Sequence, residues 1–156
     1  MEAKGPGLAS SIGLLVLRLG ACGFMAAHGW GKVQTVLAGE LDKFADPIGL
    51  GVGPSLVLAA SAEFLCALLV MAGFLTRLAA LPPAFTMAVA AFVVHAADPW
   101  TMRPDGPSKE PALLFLTAFL ALACLGPGEF SVDAVLAKRR AAAPKPGASP
   151  APAKAS

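Results

Sequence analysis

Four stretches of mostly apolar residues mark out the chain, at about 12–36, 55–75, 78–97 and 111–126, with most of the charged side chains in the connections between them. A helix of roughly 20 apolar residues crosses the hydrocarbon core of a bilayer, so each stretch predicts a membrane-spanning helix. The first is apolar from Ile12 to Ala27, the second runs from Ser55 to Leu75 and is broken only by Glu63, and the third runs from Leu78 to Ala97. The fourth, Pro111 to Leu125, is short for a span and stops at Gly126-Pro127-Gly128, which terminate helices well. Pro82 and Pro83 either begin the third helix or kink it.

The connections differ in character. Thr76-Arg77 is a turn so short that the second and third helices must be antiparallel neighbours. The connection from Leu37 to Pro54 carries Leu37, Leu41, Phe44 and Ile48 at helical spacing with Glu40, Asp42 and Lys43 between them, which predicts a short helix lying in the membrane interface. Gly49, Gly51, Gly53 and Pro54 then form a flexible turn. The expected fold is therefore all-α: a polytopic membrane four-helix bundle with a short interfacial helix between its first two spans. Residues 1–140 make one membrane domain, and the Ala/Pro-rich tail 141–156 is too poor in apolar side chains to order itself.

Composition agrees with the patterning. Of 156 residues, 56% are hydrophobic and 14% charged, and the mean hydropathy is +0.70; a soluble domain of this size needs more polar surface. A net charge of +2 without a basic patch outside the C-terminal end excludes nucleic acid as a partner. Cys22, Cys66 and Cys124 lie in apolar stretches, form no C-x-x-C pair and read as small packing residues. Leu19-Gly20-Ala21-Cys22 resembles a lipoprotein cleavage box, but Arg18 interrupts the apolar run before it, so no cleavage is expected. Lys4, Arg77, Lys138, Arg139 and Arg140 fall on the side that holds both termini, against Lys32, Lys43, Arg103 and Lys109 on the other. The density of the 138–140 cluster places both termini in the cytoplasm.

Ionisable groups inside a membrane are costly and often mark function. Arg18 and His28 lie in the first stretch, Glu63 in the second, His95 at the end of the third and Glu110 at the start of the fourth. On a helical wheel Arg18, His28 and Lys32 share a sector roughly 80° wide, a stripe that belongs against protein. His28, Lys32, Glu63, His95 and Glu110 fall in the outer half of the bundle, Glu63 about 12 Å below the outer end of its helix, whereas Arg18 lies more than two turns closer to the cytoplasm. Two readings remain open: a polar cavity opening outward, or a buried network in which Glu63 pairs with Lys32 or His28 and Arg18 snorkels to the inner interface.

Several of these residues carry a family likeness. Leu17-Arg18-Leu19, His28-Gly29-Trp30-Gly31-Lys32, Ala62-Glu63, Leu75-Thr76-Arg77-Leu78-Ala79-Ala80, and Leu125-Gly126-Pro127-Gly128 with Ser131-Val132-Asp133 occur in an order and spacing that resembles the DoxX family of small bacterial four-helix membrane proteins. The likeness covers about residues 12–136, and Trp30 and Gly31 depart from the usual pattern. It implies a bacterial inner-membrane protein similar to the membrane subunit of a thiosulfate:quinone oxidoreductase, with the characteristic positions on Arg18, His28, Lys32, Glu63 and Arg77, and with His95 and Glu110 where relatives often carry polar residues.

The expected function is that of a membrane subunit in a redox system handling a quinone or a sulfur or thiol species, with His28, Lys32 and Glu63 binding or protonating the polar group. The sequence carries no haem, flavin or metal motif, so no covalently bound cofactor is expected, and electrons would come from a soluble or membrane partner subunit or from the substrate. The alternatives are a small proton-coupled transporter with Glu63 as the switching group, and a non-catalytic scaffold subunit, either of them open to homo-oligomer formation.

Overall fold

The structure, a computed structural model, describes residues 7–104 and 106–143, and all its regular elements are helices. Helix α1 spans Leu8–Leu37, α2 Val52–Ala72, α3 Thr76–Val94, α4 Glu110–Leu125 and α5 Val132–Ala142. The first three are long and apolar enough to cross a membrane, and α4 is a shorter apolar helix of 16 residues. Helix α1, at 30 residues, is about 45 Å long, so it exceeds the hydrocarbon core and must tilt or project beyond it. Below, "upper" denotes the end of the bundle that holds the C-terminus of α1, and "lower" the end that holds the α2–α3 turn.

Packing is inverted relative to a water-soluble bundle. The centre is built mostly of small or flexible side chains, among them Cys22, Met25, Ala67, Ala80 and Ala91, closed by Phe119 and Leu122 from α4. Large apolar residues such as Val16, Phe24, Leu78 and Leu114 face outward. Small residues at the contacts let helix backbones approach closely, while the outer shell meets acyl chains at no cost in hydrophobic energy. The chain is an integral membrane protein.

Helices α2 and α3 are not uniform. α2 widens into a π-helical stretch at Ser61–Cys66 and α3 into another at Ala90–Val94. Pro82 and Pro83 do both things the sequence allows: α3 begins at Thr76, is interrupted at Ala80, and restarts at Leu81 with the prolines in the first turn, where a missing N–H costs least.

Three expectations need correction. Residues 38–51 form turns, not an interfacial helix. Gly39 ends α1 at φ +75°, Gly51 precedes α2 at φ +95°, and the Asp46 carboxylate takes hydrogen bonds from the N–H groups of Leu50 and Gly51 and from the Ser55 hydroxyl. Local capping of this kind competes with helix formation, and the apolar residues that mimic helical spacing serve the tertiary structure instead: Leu41 covers Gly53, while Phe44 and Ile48 line a cavity. The turn between α2 and α3 lies at Gly73–Leu75, with Thr76 and Arg77 already in α3. Residues 141 and 142, expected in the disordered tail, complete α5; the rest of that tail, from 144 onward, lies outside the described residues.

Candidate functional site

The upper part of α2 and most of α3 flank a cleft of about 530 Å³, bounded also by α1 and by the 38–51 loop. Lining residues on α3 run from Pro82 to His95, about 20 Å along the axis. Phe44, Pro47, Ile48 and Leu50 form the roof. Leu58 of α2 and Phe85 of α3 line the cleft yet are 55% and 59% exposed. Both sit more than a turn inside helices apolar enough to cross a membrane, so the exposed rim they form lies on the side of the bundle and not at its upper end.

Three ionisable side chains, His28, Lys32 and Glu63, gather on one wall. Glu63 lies about 16 Å below the start of α2, and its side chain is only 4% exposed. Lys32 Nζ donates a hydrogen bond to Glu63 Oε2. His28 Nε2, one turn earlier on α1, lies 3.8 Å from the same oxygen; its side chain is 65% exposed and lines the cleft. Paired and hydrogen-bonded charges are the tolerable form of ionisable groups in an apolar interior. Glu63 keeps Oε1 free of protein partners among the described residues, so the pair retains acceptor capacity toward the cleft.

Local backbone geometry delivers Glu63 to this point. Gly29 of α1 sits against the π-helical stretch so closely that a Cβ there would lie 2.6 Å from the Glu63 carbonyl carbon and 2.7 Å from the Phe64 nitrogen. Glycine is therefore required for the approach that lets Lys32 and His28 reach Glu63. Trp30 packs on Phe64 with ring centroids 5.3 Å apart and holds the same crossing. A π-helical turn shifts side-chain phase by inserting a residue, and such bulges cluster at functional sites. Here Glu63 lies within one, and Ala90 and Val94 of the other line the facing wall.

His95 stands at the upper end of the cleft, with Nδ1 2.7 Å from Asp98 Oδ2. Beside it, Lys109 is largely buried, donates to the Ala96 carbonyl at 2.8 Å and lies 4.9 Å from the centre of the Trp100 ring. Glu110 does not reach the cleft. Its carboxylate accepts from the Met102 N–H at 2.6 Å, fastening the 95–109 connection to the start of α4.

Arg18 also lies apart from the cleft, in the lower half. It is 1% exposed and donates through Nη1 to the Pro127 carbonyl (2.9 Å) and through Nη2 to that of Phe130 (2.6 Å). A Cβ at Gly73 would fall 2.1 Å from Nη1. Asp133, noted in the sequence only within the Ser131-Val132-Asp133 match and given no role there, accepts from the N–H groups of Leu75 and Thr76 and from the Thr76 hydroxyl. It caps the start of α3 from 57 residues away, while its own N–H donates to Gly73. Arg18, Gly73 and Asp133 thus form a structural junction of α1, the α2–α3 turn and the segment after α4. Among the described residues no group of His, Cys, Asp and Glu side chains could hold a metal ion.

The chain's four apolar helices and the Arg18, His28, Lys32 and Glu63 positions can be set against known families. The profile of the DoxX family matches residues 13–96, which takes in α1, α2, α3 and both walls of the cleft. The chain belongs to the DoxX family. No match was found to a curated protein or to a solved structure. The matched DoxX segment ends at the upper end of α3, so α4 and Asp133 lie beyond it, while Arg18 and Gly73 of the junction lie within it.

Proposed function

We propose that this DoxX protein is the quinone-holding membrane subunit of a redox system in a bacterial inner membrane. One observation carries the reading: a hydrogen-bonded Lys32–Glu63 pair, with His28 beside it, lies on the wall of a mostly apolar cleft whose exposed rim lies on the side of the bundle. A membrane-dissolved quinone has the complementary form. Its ring carbonyl accepts a hydrogen bond from the Lys32 ammonium, and its isoprenoid chain leaves between Leu58 and Phe85. Reduction to the quinol consumes two electrons and two protons per ring; a partner subunit supplies the electrons, and Glu63 with His28 is the route for protons. A water-soluble sulfur compound has no use for a sideways opening.

The test is solvent extraction of purified protein followed by chromatography for quinone, together with titration of a short-chain quinone into detergent-solubilised protein. Quinone should co-purify, and Glu63→Gln should weaken the titrated affinity by about tenfold, equivalent to one charge-assisted hydrogen bond. Absence of quinone in both assays, with binding of thiosulfate or a thiol, would replace the substrate.

A further inference from the structure

Helix α5 has no place in the redox reading. It follows the Arg18–Asp133 junction at the lower end, begins with Ser131 capping the Ala134 N–H, and has no buried residue. Its exposed side chains sort by type. Val132 and Val135 are 40% and 49% exposed, and Phe130 just before the helix is 46% exposed. With Leu136 the two valines occupy an arc of roughly 100° on the helical wheel. Lys138 falls on one flank of that arc, Arg140 on the other and Arg139 beyond its C-terminal end; all three are exposed. Among the described residues none of the three has an acidic partner. The helix's one acid, Asp133, is committed to the start of α3, and Glu129 lies outside the helix.

We infer that α5 is a membrane-surface helix that binds anionic phospholipid headgroups at the lower face of the bundle. The arrangement fits that partner on two counts. An apolar arc between basic flanks lets valine and phenylalanine enter the headgroup–acyl boundary while long cationic side chains reach outward to phosphate. The lower ends of α3 and α4 put the helix at bilayer level already: Leu78 and Leu125 are 65% and 63% exposed there, and Arg77, also exposed, adds a cation at the same level. Docking therefore requires no encounter from solution, only the local gain from charge, about fivefold per cation near an anionic surface. The inference is independent of what the cleft binds.

The experiment is backbone hydrogen exchange over residues 132–142 of the full chain in nanodiscs. One set contains phosphatidylcholine alone, a second adds phosphatidylglycerol, and a third is phosphatidylcholine with inorganic phosphate in solution. Exchange from α5 should slow at least tenfold in the anionic discs relative to the other two. About 0.5 M salt should reverse the effect by screening, as should Lys138→Gln/Arg139→Gln/Arg140→Gln. These side chains are exposed, and exchange from α1–α3 in the same sample reports whether the bundle remains folded. The salt titration of the unaltered protein needs no variant. Equal protection in both lipid compositions would overturn the assignment and turn attention to an acidic protein surface as the partner. Protection by phosphate alone would overturn it in favour of a soluble anion.

Discussion

Two carboxylates define the chemistry of the upper half, and they make different predictions. Glu63 is buried against Lys32, so Glu63→Gln leaves an ammonium without its counter-charge and should lower stability by on the order of 1–3 kcal/mol. Lys32→Met in the same chain should return part of that loss, since an apolar side chain no longer needs a partner. Thermal unfolding in detergent for both single variants and the double measures the coupling; a Glu63→Gln protein unchanged in stability and in quinone binding would remove the cleft as a site. Asp46 is exposed and lies in the roof loop. The Gly51 N–H, with support from Ser55 and Leu50, holds its carboxyl below the ordinary value of 3.8 despite some desolvation. A depressed folded-state value means that the cap contributes fully above the unfolded carboxylate range, about pH 4, and loses its contribution as the pH falls through the lower folded-state value. The stability advantage of the native protein over Asp46→Asn should therefore be constant at neutral pH and shrink below pH 4, as thermal unfolding across pH will read. The pairing of Glu63 with a cation of α1 was legible from one helical stripe and comparable depths. The Asp46 cap was not, because an Asp before a Pro in a Gly-rich segment has many equivalent partners until the loop is closed.

Among the elements, α3 depends most on distant residues. Its first turn is capped by Asp133, which accepts from two N–H groups and the Thr76 hydroxyl. Removal of the cap by Asp133→Ala should cost about 1–2 kcal/mol, seen as a lower thermal midpoint in detergent, with Asp133→Asn milder because its amide oxygen still accepts. Arg18 performs the corresponding task for the 127–130 turn. Hydropathy found α1 to α4 because transfer energy into lipid is nearly additive along a segment. It missed α5, whose mixed apolar and basic pattern is too short and too polar to register as a span. It read 37–48 as a helix because periodicity cannot distinguish side chains spaced along a helix from side chains spaced around a closing loop. The π-helical stretches were equally hidden: no residue pattern marks them, and the close contact at one of them, Gly29 on Glu63, joins different helices.

For the molecule as a whole, we predict that both termini face the cytoplasm. Arg18, Arg77 and the 138–140 cluster gather at the lower end, where Gly126 lies beside the Arg77 guanidinium, and positive charge is retained on the cytoplasmic side. Reporter fusions after Arg140 and within residues 43–48 will test this: cytoplasmic activity is expected from the first and none from the second, and a periplasmic signal after Arg140 would invert the orientation. The sequence by itself determined that the chain is an all-helical membrane protein of the DoxX family, and which ionisable residues lie in or beside its apolar stretches. Those properties are sums and positions along a strand of residues, and each residue contributes whatever its distant neighbours are. Only the tertiary structure decided that His28, Lys32, Glu63 and His95 border one cleft while Arg18 and Glu110 hold other junctions, and that the cleft has an exposed apolar rim on the side of the bundle. Such outcomes depend on the angle at which helices cross and on which backbone can approach which, here set by Gly29 and Gly73, and no local pattern contains that information.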